Sequence, residues 1–474
     1  MEKNLQEEIN FFDFSQLVYQ NLNRYLLEGR ASLNINQIKY SYNYLNSIRE
    51  LEKTKIESLT EYLIENFEFY RKIFIDEIMR KNRDGKDDYI NVEWANKTNS
   101  IKLGFWINNS TDKSYKMALS EFKNINIQMM NFPKSQSNVM VRFFWTRTDI
   151  RELQLKEYCQ FITISGVYYI DQIVCPDKSQ TVKNWEVREV IGNRYKEIEV
   201  KEGHMTQKIG YKIDIPPHVY IKDIVNHIKV GKYNEETHKW SFEGFESLKL
   251  QEETRRLSFY IDELSTFGIL IERKLCFPYK SWYLRCINPT TAILDLETPR
   301  IKLIFELGVR QLPNREYMGY VKLIKNSESE FAHIVNKEYK YDEIILELRN
   351  CGILINPFDE DIINAGIKIH NYQSQDRAIN DIIIACRQFA IRSHNLNSVI
   401  DENMILAKFK PNLEYDEYFF DDEEKDWSEV AWYPNKCLIG RTYNENNTVK
   451  FKSSVEIVKE YFFIFSLDRI IIYL

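Results

Sequence analysis

The spacing of hydrophobic positions divides the chain into three stretches. Over residues 8–80 apolar residues recur three and four positions apart, as at Leu59, Leu63 and Phe67, which predicts helices interrupted by a short extended segment, Ser32–Ile35. From residue 89 to 324 short runs alternate apolar and polar residues, which predicts strands. These runs are Ile101–Phe105, Val139–Phe143, Phe161–Val167, Tyr211–Ile215, Leu257–Ile261 and Ile301–Phe305. Helical spacing returns in Tyr341–Leu348 and Asp376–Ile391.

The pattern predicts an α+β protein of three domains. Residues 1–88 are expected to form a helical domain, and residues 89–324 a β-barrel domain with a long β insertion at about 168–244. Residues 325–474 are expected to form a mostly helical α/β region. The charged turn Lys81–Asp88 marks the first boundary and Asn326–Ser329 the second. The acidic segment Glu414–Asp426 is predicted to be an exposed loop.

Composition narrows the class of protein. A chain of 57.0 kDa with 44% hydrophobic and 28% charged residues is too long for one core and is typical of a folded protein. The net charge of −6 counts mildly against tight, autonomous DNA binding, because lysine and arginine contacts to phosphate supply much of that affinity. Seven cysteines without a C-x-x-C pair fit a reducing compartment.

Targeting signals are also informative. The N-terminus has no apolar segment of a secretory signal, and the most apolar stretch, Tyr461–Leu474, is too short to span a bilayer and contains Asp468 and Arg469. We therefore expect a protein of the cytoplasm or nucleus that is neither secreted nor a membrane partner.

The 474 residues contain no local catalytic signature. There is no G-x-x-x-x-G-K-[ST] phosphate loop, no G-x-S-x-G, no H-E-x-x-H and no glycine-rich dinucleotide loop. The insertion holds one cysteine, Cys175, and four histidines without the paired spacing of a zinc site, namely His204, His218, His227 and His238. We accordingly predict no catalytic residue, no metal ligand and no cofactor in this chain.

Four segments together resemble the N-terminal half of the minichromosome maintenance (MCM) family of replicative helicases. They are Gly29–Ile35, Val141–Phe143 leading into Asp149–Leu153, Phe161–Val167 with its terminal Ser-Gly-Val, and Phe245–Glu252 with its terminal Leu-Gln-Glu. The likeness covers residues 10–320. A fainter likeness of Asp342–Leu348 and Gln375–Ile379 to helices that lead into the MCM ATPase makes residues 325–474 a candidate for a degenerate ATPase remnant.

The resemblance implies an oligonucleotide-binding (OB) barrel and a role in DNA replication. Its implied partners are single- or double-stranded DNA and MCM-type subunits or further copies of the chain. Its implied location is the nucleus in a eukaryote and the cytoplasm otherwise. The family is a helicase family, but without a phosphate loop this chain is not expected to hydrolyse ATP, so its status as an enzyme stays open.

OB barrels bind nucleic acid through stacked aromatic rings and a cationic groove. The candidate nucleic-acid contacts are Arg142, Trp145, Arg147 and Arg151 at the barrel entrance, and the compact basic pair Arg255 and Arg256. The alternative for each is structural, because about half of the side chains on a strand point into the core.

Two other functions remain open on the sequence. One is a non-replicative scaffold or interaction protein with a β-barrel domain, and the other is a nuclease-like enzyme with an acidic site assembled from distant residues. The geometry that separates them from the MCM hypothesis is specific: segments 138–175 and 245–275 should share one five-stranded barrel.

Overall fold

A computed structural model describes most of the predicted strands and the longest helix. The described residues are 10–12, 14–15, 17–18, 21–22, 35–65, 89–95, 101–108, 114–118, 125–130, 139–147, 160–174, 180–183, 185–187, 196–197, 209–222, 224–234, 237, 239–262, 265–288, 290–311, 313, 317–325, 328–355, 357, 359–366, 389–393, 405–411, 427–432 and 437–440. Statements about the structure below concern these residues.

The chain forms two compact units that are interleaved in sequence. Unit 1 comprises Met1–Pro217 and Ile224–Ile271, and unit 2 comprises His218–Asp223 and Glu272–Leu474. Each unit is built on antiparallel sheets, because the alternating runs of the sequence bury one or both strand faces.

Unit 1 contains an eight-stranded sheet, called here the first sheet. Its order is β1-β2-β5-β6-β15-β11-β12, with β9 also pairing with β6. The strands are β1 (Tyr89–Ala95), β2 (Ile101–Asn108), β5 (Val139–Thr146), β6 (Phe161–Val174), β9 (Lys196–Glu197), β11 (Lys229–Asn234), β12 (Lys239–Ser241) and β15 (Phe267–Glu272).

A five-stranded sheet, called the second sheet, completes the β structure of unit 1 together with a small hairpin. Its order is β13-β14-β10-β4-β3, and the hairpin pairs β7 with β8. The strands are β3 (Ser114–Ala118), β4 (Ile125–Met130), β7 (Gln180–Val182), β8 (Trp185–Val187), β10 (Ile209–Asp214), β13 (Phe245–Gln251) and β14 (Arg256–Ile261).

Aromatic rings join the two sheets of unit 1. Phe267 of the first sheet packs edge-on against Tyr211 and Phe259 of the second, with ring centroids 5.3 and 5.5 Å apart. Tyr168 stacks on Phe267 at 5.1 Å, and Phe143 lies beside Tyr168. One face of β5 and β6 therefore lies in the core between the sheets.

The opposite face of β5 is covered by helical residues. Helix α1 (Ile35–Glu65) buries Leu45, Ile48, Ile56 and Leu59 along one side. Its Thr60 accepts a hydrogen bond from Arg142 of β5, and Phe144 of β5 lies 6.4 Å from Phe12, which is helical. Because neighbouring residues of a strand face opposite ways, β5 is buried on both faces.

Unit 2 contains a nine-stranded sheet. Its order is β20-β19-β18-β17-β16-β21-β22-β23-β24. The strands are β16 (Ser281–Asn288), β17 (Thr291–Glu297), β18 (Lys302–Gln311), β19 (Tyr317–Lys325), β20 (Glu338–Tyr339), β21 (Phe389–Ser393), β22 (Ile405–Pro411), β23 (Ser428–Trp432) and β24 (Cys437–Gly440). Helices α2 (Tyr341–Asn350) and α3 (Asp359–Asn364) accompany it.

Two buried arginines stabilise the loops of unit 2. Arg273 forms an ion pair with Asp361 of α3, with Nε–Oδ1 and Nη2–Oδ2 distances of 2.9 and 2.5 Å. Arg300 donates to the carbonyls of Gly352 and Tyr220, both at 2.6 Å. The segment 218–223 is thereby bound to unit 2, since the Tyr220 amide also donates to the carbonyl of Cys351.

The predicted class holds in its coarse form: the chain is α+β, and most described elements are strands. The predicted OB-type barrel is not confirmed. The described strands form no closed barrel, and β5 and β6 lie in the first sheet whereas β13 and β14 lie in the second. Sequence alternation predicts that a segment is a strand, but the partner of each strand depends on contacts distant in sequence.

The helical predictions are partly confirmed. Helix α2 coincides with Tyr341–Leu348, but Ile35 begins α1 rather than ending an extended segment. The helix predicted to end at Ile391 does not, because Phe389–Ser393 is β21. The mostly helical C-terminal region is not confirmed. Residues 32–34, 81–88, 376–388, 412–426 and 441–474 lie outside the described residues, and the division into three domains with two boundaries stays a prediction.

Candidate interaction surface

Arg142, the first candidate for a nucleic-acid contact, is buried inside unit 1. Its side chain is 2% exposed and donates through Nε to Asp171 Oδ2 at 2.6 Å and through Nη1 to Thr60 Oγ1 at 3.2 Å. Arg142 and Asp171 are opposite each other in the ladder between β5 and β6, so they share the face that α1 covers. The guanidinium joins the helix to the sheet.

Trp145 is buried on the other face of β5. Its Nε1 donates to the carbonyl of Ser165 at 2.7 Å, and the Ser165 hydroxyl lies 3.1 Å from the hydroxyl of Tyr168. Burial raises the pKa of Tyr168 to about 12, against the opposing effect of its hydrogen bonds. The indole is therefore part of a satisfied polar cluster within the core.

Gly166 permits this cluster to close. It has a φ of +83°, and a β-carbon placed there would lie 2.3 Å from the carbonyl oxygen of Thr146 and 2.8 Å from Nε1 of Trp145. Only glycine avoids both the strain and the clash. The Ser-Gly-Val sequence that contributed to the MCM resemblance therefore lies within β6, where β6 approaches β5 closely, and it does not end a strand.

The remaining candidates occupy different places. Arg147 follows β5 and is partly exposed, while Arg151 lies outside the described residues. Arg255 has a φ of +52° and donates to the carbonyls of Ile215 and Pro216 at 3.4 and 2.9 Å. Arg256 pairs with Asp214 through two hydrogen bonds of 2.6 and 3.0 Å, and this partner raises the pKa of the arginine.

Four of the six candidates therefore have assigned partners within the protein. Arg142 and Trp145 belong to β5, whereas Arg255 lies in the turn between β13 and β14 of the second sheet and Arg256 is the first residue of β14. The structure does not gather them into one groove. A direct ligand contact by any of them stays a prediction.

Two of the four histidines of the insertion, His218 and His227, lie among the described residues. The ring of His218 lies 5.9 Å from that of His333, His227 is exposed, and His204 and His238 lie outside the described residues. Among the residues described, no group of three or more His, Cys, Asp or Glu is placed to hold a metal ion. In that same part of the chain, no helix is both long and apolar enough to cross a membrane.

The outward side of α1 is the candidate interaction surface, and sequence reasoning did not single it out. Tyr40, Tyr44 and Leu51 are 74%, 49% and 52% exposed, although the helix has a separate buried side. Residues four and seven apart lie within about 40° of one another around a helix axis, so the three form one stripe. The sequence did contain a signal for it, because the apolar residues of this segment cover a wider arc of the helix than one core-facing side requires.

Comparison with known proteins finds relatives that share one name. No protein-family model matches the chain. Dynein axonemal intermediate chain 7 of Bos taurus is 19% identical over 263 residues, covering 54% of this chain and 36% of the relative. The proteins of the same name from Mus musculus and Homo sapiens are 21% identical over 297 and 221 residues, covering 61% and 44% of this chain and 39% and 29% of the relatives.

These relatives overturn the MCM resemblance and what followed from it. DNA replication as the function, DNA and MCM-type subunits as partners, and the nucleus as the location are all wrong, because these relatives are named dynein axonemal intermediate chain 7. The resemblance rested on four short segments, and the alternating runs among them are typical of many antiparallel sheets. The scaffold alternative agrees better with the relatives.

The matched part spans well under half the length of these relatives. Over about half of its own length, the chain is similar to dynein axonemal intermediate chain 7.

Proposed function

We propose that this chain is an assembly subunit of a dynein-type complex in the axoneme, and that it acts by binding other chains rather than by catalysis. The observation that carries the proposal is the sequence similarity to dynein axonemal intermediate chain 7 from several animals. Its expected partners are other subunits of that complex, and its expected location is the cilium.

Three buried arginines already have partners within the protein, so we assign recognition to exposed surfaces. Arg142, Arg273 and Arg300 are each committed to carboxylates or carbonyls of the same unit. Removing one partner of such a pair leaves a buried charge unpaired, so these arginines are held inside the protein, and the stripe on α1 is the exposed surface left for recognition. We also propose that the chain acts without a cofactor and that the remainder of its C-terminal region is mostly helical.

Reconstitution with axonemal dynein tests the proposal. The tagged full chain is mixed with a high-salt extract of axonemes, dialysed to low salt and sedimented through a sucrose gradient, with dynein heavy chain detected in each fraction. We expect the chain to co-sediment with the heavy chain. The proposal would be contradicted if the chain sedimented at the position of the free chain both with and without the extract.

The matched control is the same chain with an extract from which dynein heavy chain has been removed by antibody. The rapidly sedimenting peak should disappear in that control. Its persistence would show that the chain binds another axonemal component instead.

A further inference from the structure

We propose that the outward side of α1 binds an amphipathic α-helix of a partner chain, one that carries a heptad-spaced apolar stripe with basic residues beside it. This inference rests on the proposed assembly function and specifies the chemistry of the partner. It starts from the exposed stripe of Tyr40, Tyr44 and Leu51.

The spacing of the stripe selects a helical partner. Tyr40, Tyr44, Ser47, Leu51 and Thr54 follow one another at steps of four, three, four and three residues. Their mean period of 3.5 residues is that of helices packed side by side with interlocking side chains. The stripe extends for about 21 Å along the helix, which matches four turns of a partner helix.

The hydroxyl groups of the stripe can be covered without losing their hydrogen bonds. The Ser47 hydroxyl donates to the carbonyl of Asn43 and the Thr54 hydroxyl to that of Glu50, both at 2.9 Å. A polar group that keeps an internal partner avoids most of the cost of losing water. The stripe is therefore suited to burial even though serine and threonine contribute to it.

Charge beside the stripe defines the rest of the partner. Glu50 and Glu57 are seven residues apart, and Glu50 directly precedes Leu51 of the stripe, where flanking residues of paired helices form ion pairs across the interface. On the other flank Ser41 and Ile48 are buried, and the Lys55 ammonium lies over the ring of Phe11. The accessible flank is acidic, so the complementary partner has lysine or arginine there.

A second copy of this chain is a poorer match. Two copies of α1 packed antiparallel would place their acidic flanks against each other, and like charges at such positions disfavour pairing. We therefore assign the stripe to a basic helix of another chain.

Three synthetic helical peptides test the assignment by fluorescence anisotropy with the purified full chain. Each spans about four heptads. The first has a leucine stripe with lysine flanks, the second has the same stripe with glutamate flanks, and the third has the composition of the first in scrambled order. We expect the lysine peptide to bind, the glutamate peptide to bind at least tenfold more weakly, and the scrambled peptide not to bind. No binding of the lysine peptide, or equal binding of both stripe peptides, would overturn the proposal.

Matched variants locate the binding site on α1. Tyr44→Ala with Leu51→Ala should weaken binding of the lysine peptide at least tenfold, because large apolar anchors dominate such contacts. Asn46→Ala with Lys53→Arg has the same spacing on an exposed part of the helix away from the stripe, keeps the positive charge at position 53, and should leave affinity unchanged. Equal loss in both variants, or loss in neither, would overturn the assignment. Tyr40→Ala provides an independent single substitution with the same expected direction.

The acidic flank has its own test. Glu50→Gln with Glu57→Gln should lower affinity for the lysine peptide severalfold at low salt and make it less salt-dependent. An unchanged salt dependence would overturn the charge complementarity. Self-association of the chain that Tyr44→Ala with Leu51→Ala abolishes in sedimentation velocity would assign the stripe to a second copy and overturn the proposal.

The gradient experiment separates this inference from the proposed function. If the Tyr44→Ala, Leu51→Ala variant still co-sediments with dynein heavy chain, the stripe is not the binding site but the assembly function stands. If the unsubstituted chain fails to co-sediment while it binds the lysine peptide, the dynein assignment fails and the helix-binding surface remains.

Discussion

Strand β5 and the turn between β13 and β14 place arginines in opposite situations. Arg142 on β5 is 2% exposed and bonds to two side chains, whereas Arg256 beside the turn is 40% exposed and pairs with Asp214 alone. In the sequence the two look alike, each near aromatic residues and each suited to bind phosphate. The difference shows that the layer covering a strand decides whether an arginine stabilises the fold or meets solvent.

The backbone repeats the contrast at two left-handed positions. Gly166 beside β5 has a φ of +83° and no room for a β-carbon, whereas Arg255 in the turn has a φ of +52° and uses its side chain to bond two carbonyls. A buried close approach requires glycine, but an exposed turn tolerates a long polar residue.

The largest expected effect comes from breaking the buried pair. Arg142→Ala leaves Asp171 and Thr60 without the guanidinium beneath α1, and we expect it to lower the free energy of unfolding by about 3–5 kcal/mol. Urea unfolding followed by tryptophan fluorescence measures this loss. Arg142→Met with Asp171→Leu removes both charges and should recover much of the stability. A loss below about 1 kcal/mol for Arg142→Ala would show that the pair is not structurally important.

The next effect comes from filling the close approach beside β5. Gly166→Ala combines left-handed strain with a contact of 2.3 Å to a backbone oxygen, and we expect a loss of about 2–4 kcal/mol. Gly366→Ala is the matched control, since Gly366 has a φ of +72° and no atom within 4 Å of an added β-carbon. Equal losses in the two variants, measured by the same urea unfolding, would mean that strain alone explains the effect.

Arg256→Ala tests the exposed side of the comparison. Its pair with Asp214 is accessible to water and screened by salt, so we expect a loss below about 1 kcal/mol that shrinks further at high ionic strength. Thermal unfolding at low and high salt measures it. A loss as large as that of Arg142→Ala would contradict the difference between the two regions.

The smallest effect at neutral pH is expected at Tyr211. This buried ring stacks on Phe259 of β14, and its hydroxyl has no hydrogen-bond partner among the described residues. Tyr211→Phe should therefore leave stability unchanged or slightly higher, whereas Tyr168→Phe loses the bond to Ser165 and should cost about 1 kcal/mol. Identical effects in both variants by urea unfolding would show that the Tyr211 hydroxyl is satisfied.

High pH should sharpen the same test. Burial raises the pKa of Tyr211, so above pH 10 the unfolded chain loses this proton while the folded chain keeps it. The contribution of the Tyr211 hydroxyl to the free energy of unfolding is intact below pH 10 and falls as pH rises, at about 1.4 kcal/mol per pH unit. Tyr211→Phe should flatten the decline between pH 10 and 11. An unchanged slope would place the tyrosine in contact with water.

Local elements were predictable from the sequence because their causes are local. The alternation in Val139–Phe143 and Leu257–Ile261 specified β5 and β14, and helical spacing specified α2. The location of Arg142 was not predictable, since its partners are 29 and 82 residues away. The stripe on α1 was visible in the spacing, but its exposure depended on which side of the helix the sheet covers.

Segment 218–223 is synthesised well before the arginine that donates a hydrogen bond to it. Tyr220 leaves the ribosome as part of a stretch whose neighbours on both sides belong to unit 1, yet its hydrogen-bond donor Arg300 lies 80 residues later in the chain. At 5–20 residues per second, the segment waits about 4–16 s for that donor. During this interval the carbonyl of Tyr220 lacks that donor, and chaperones that act on emerging chains have access to the segment.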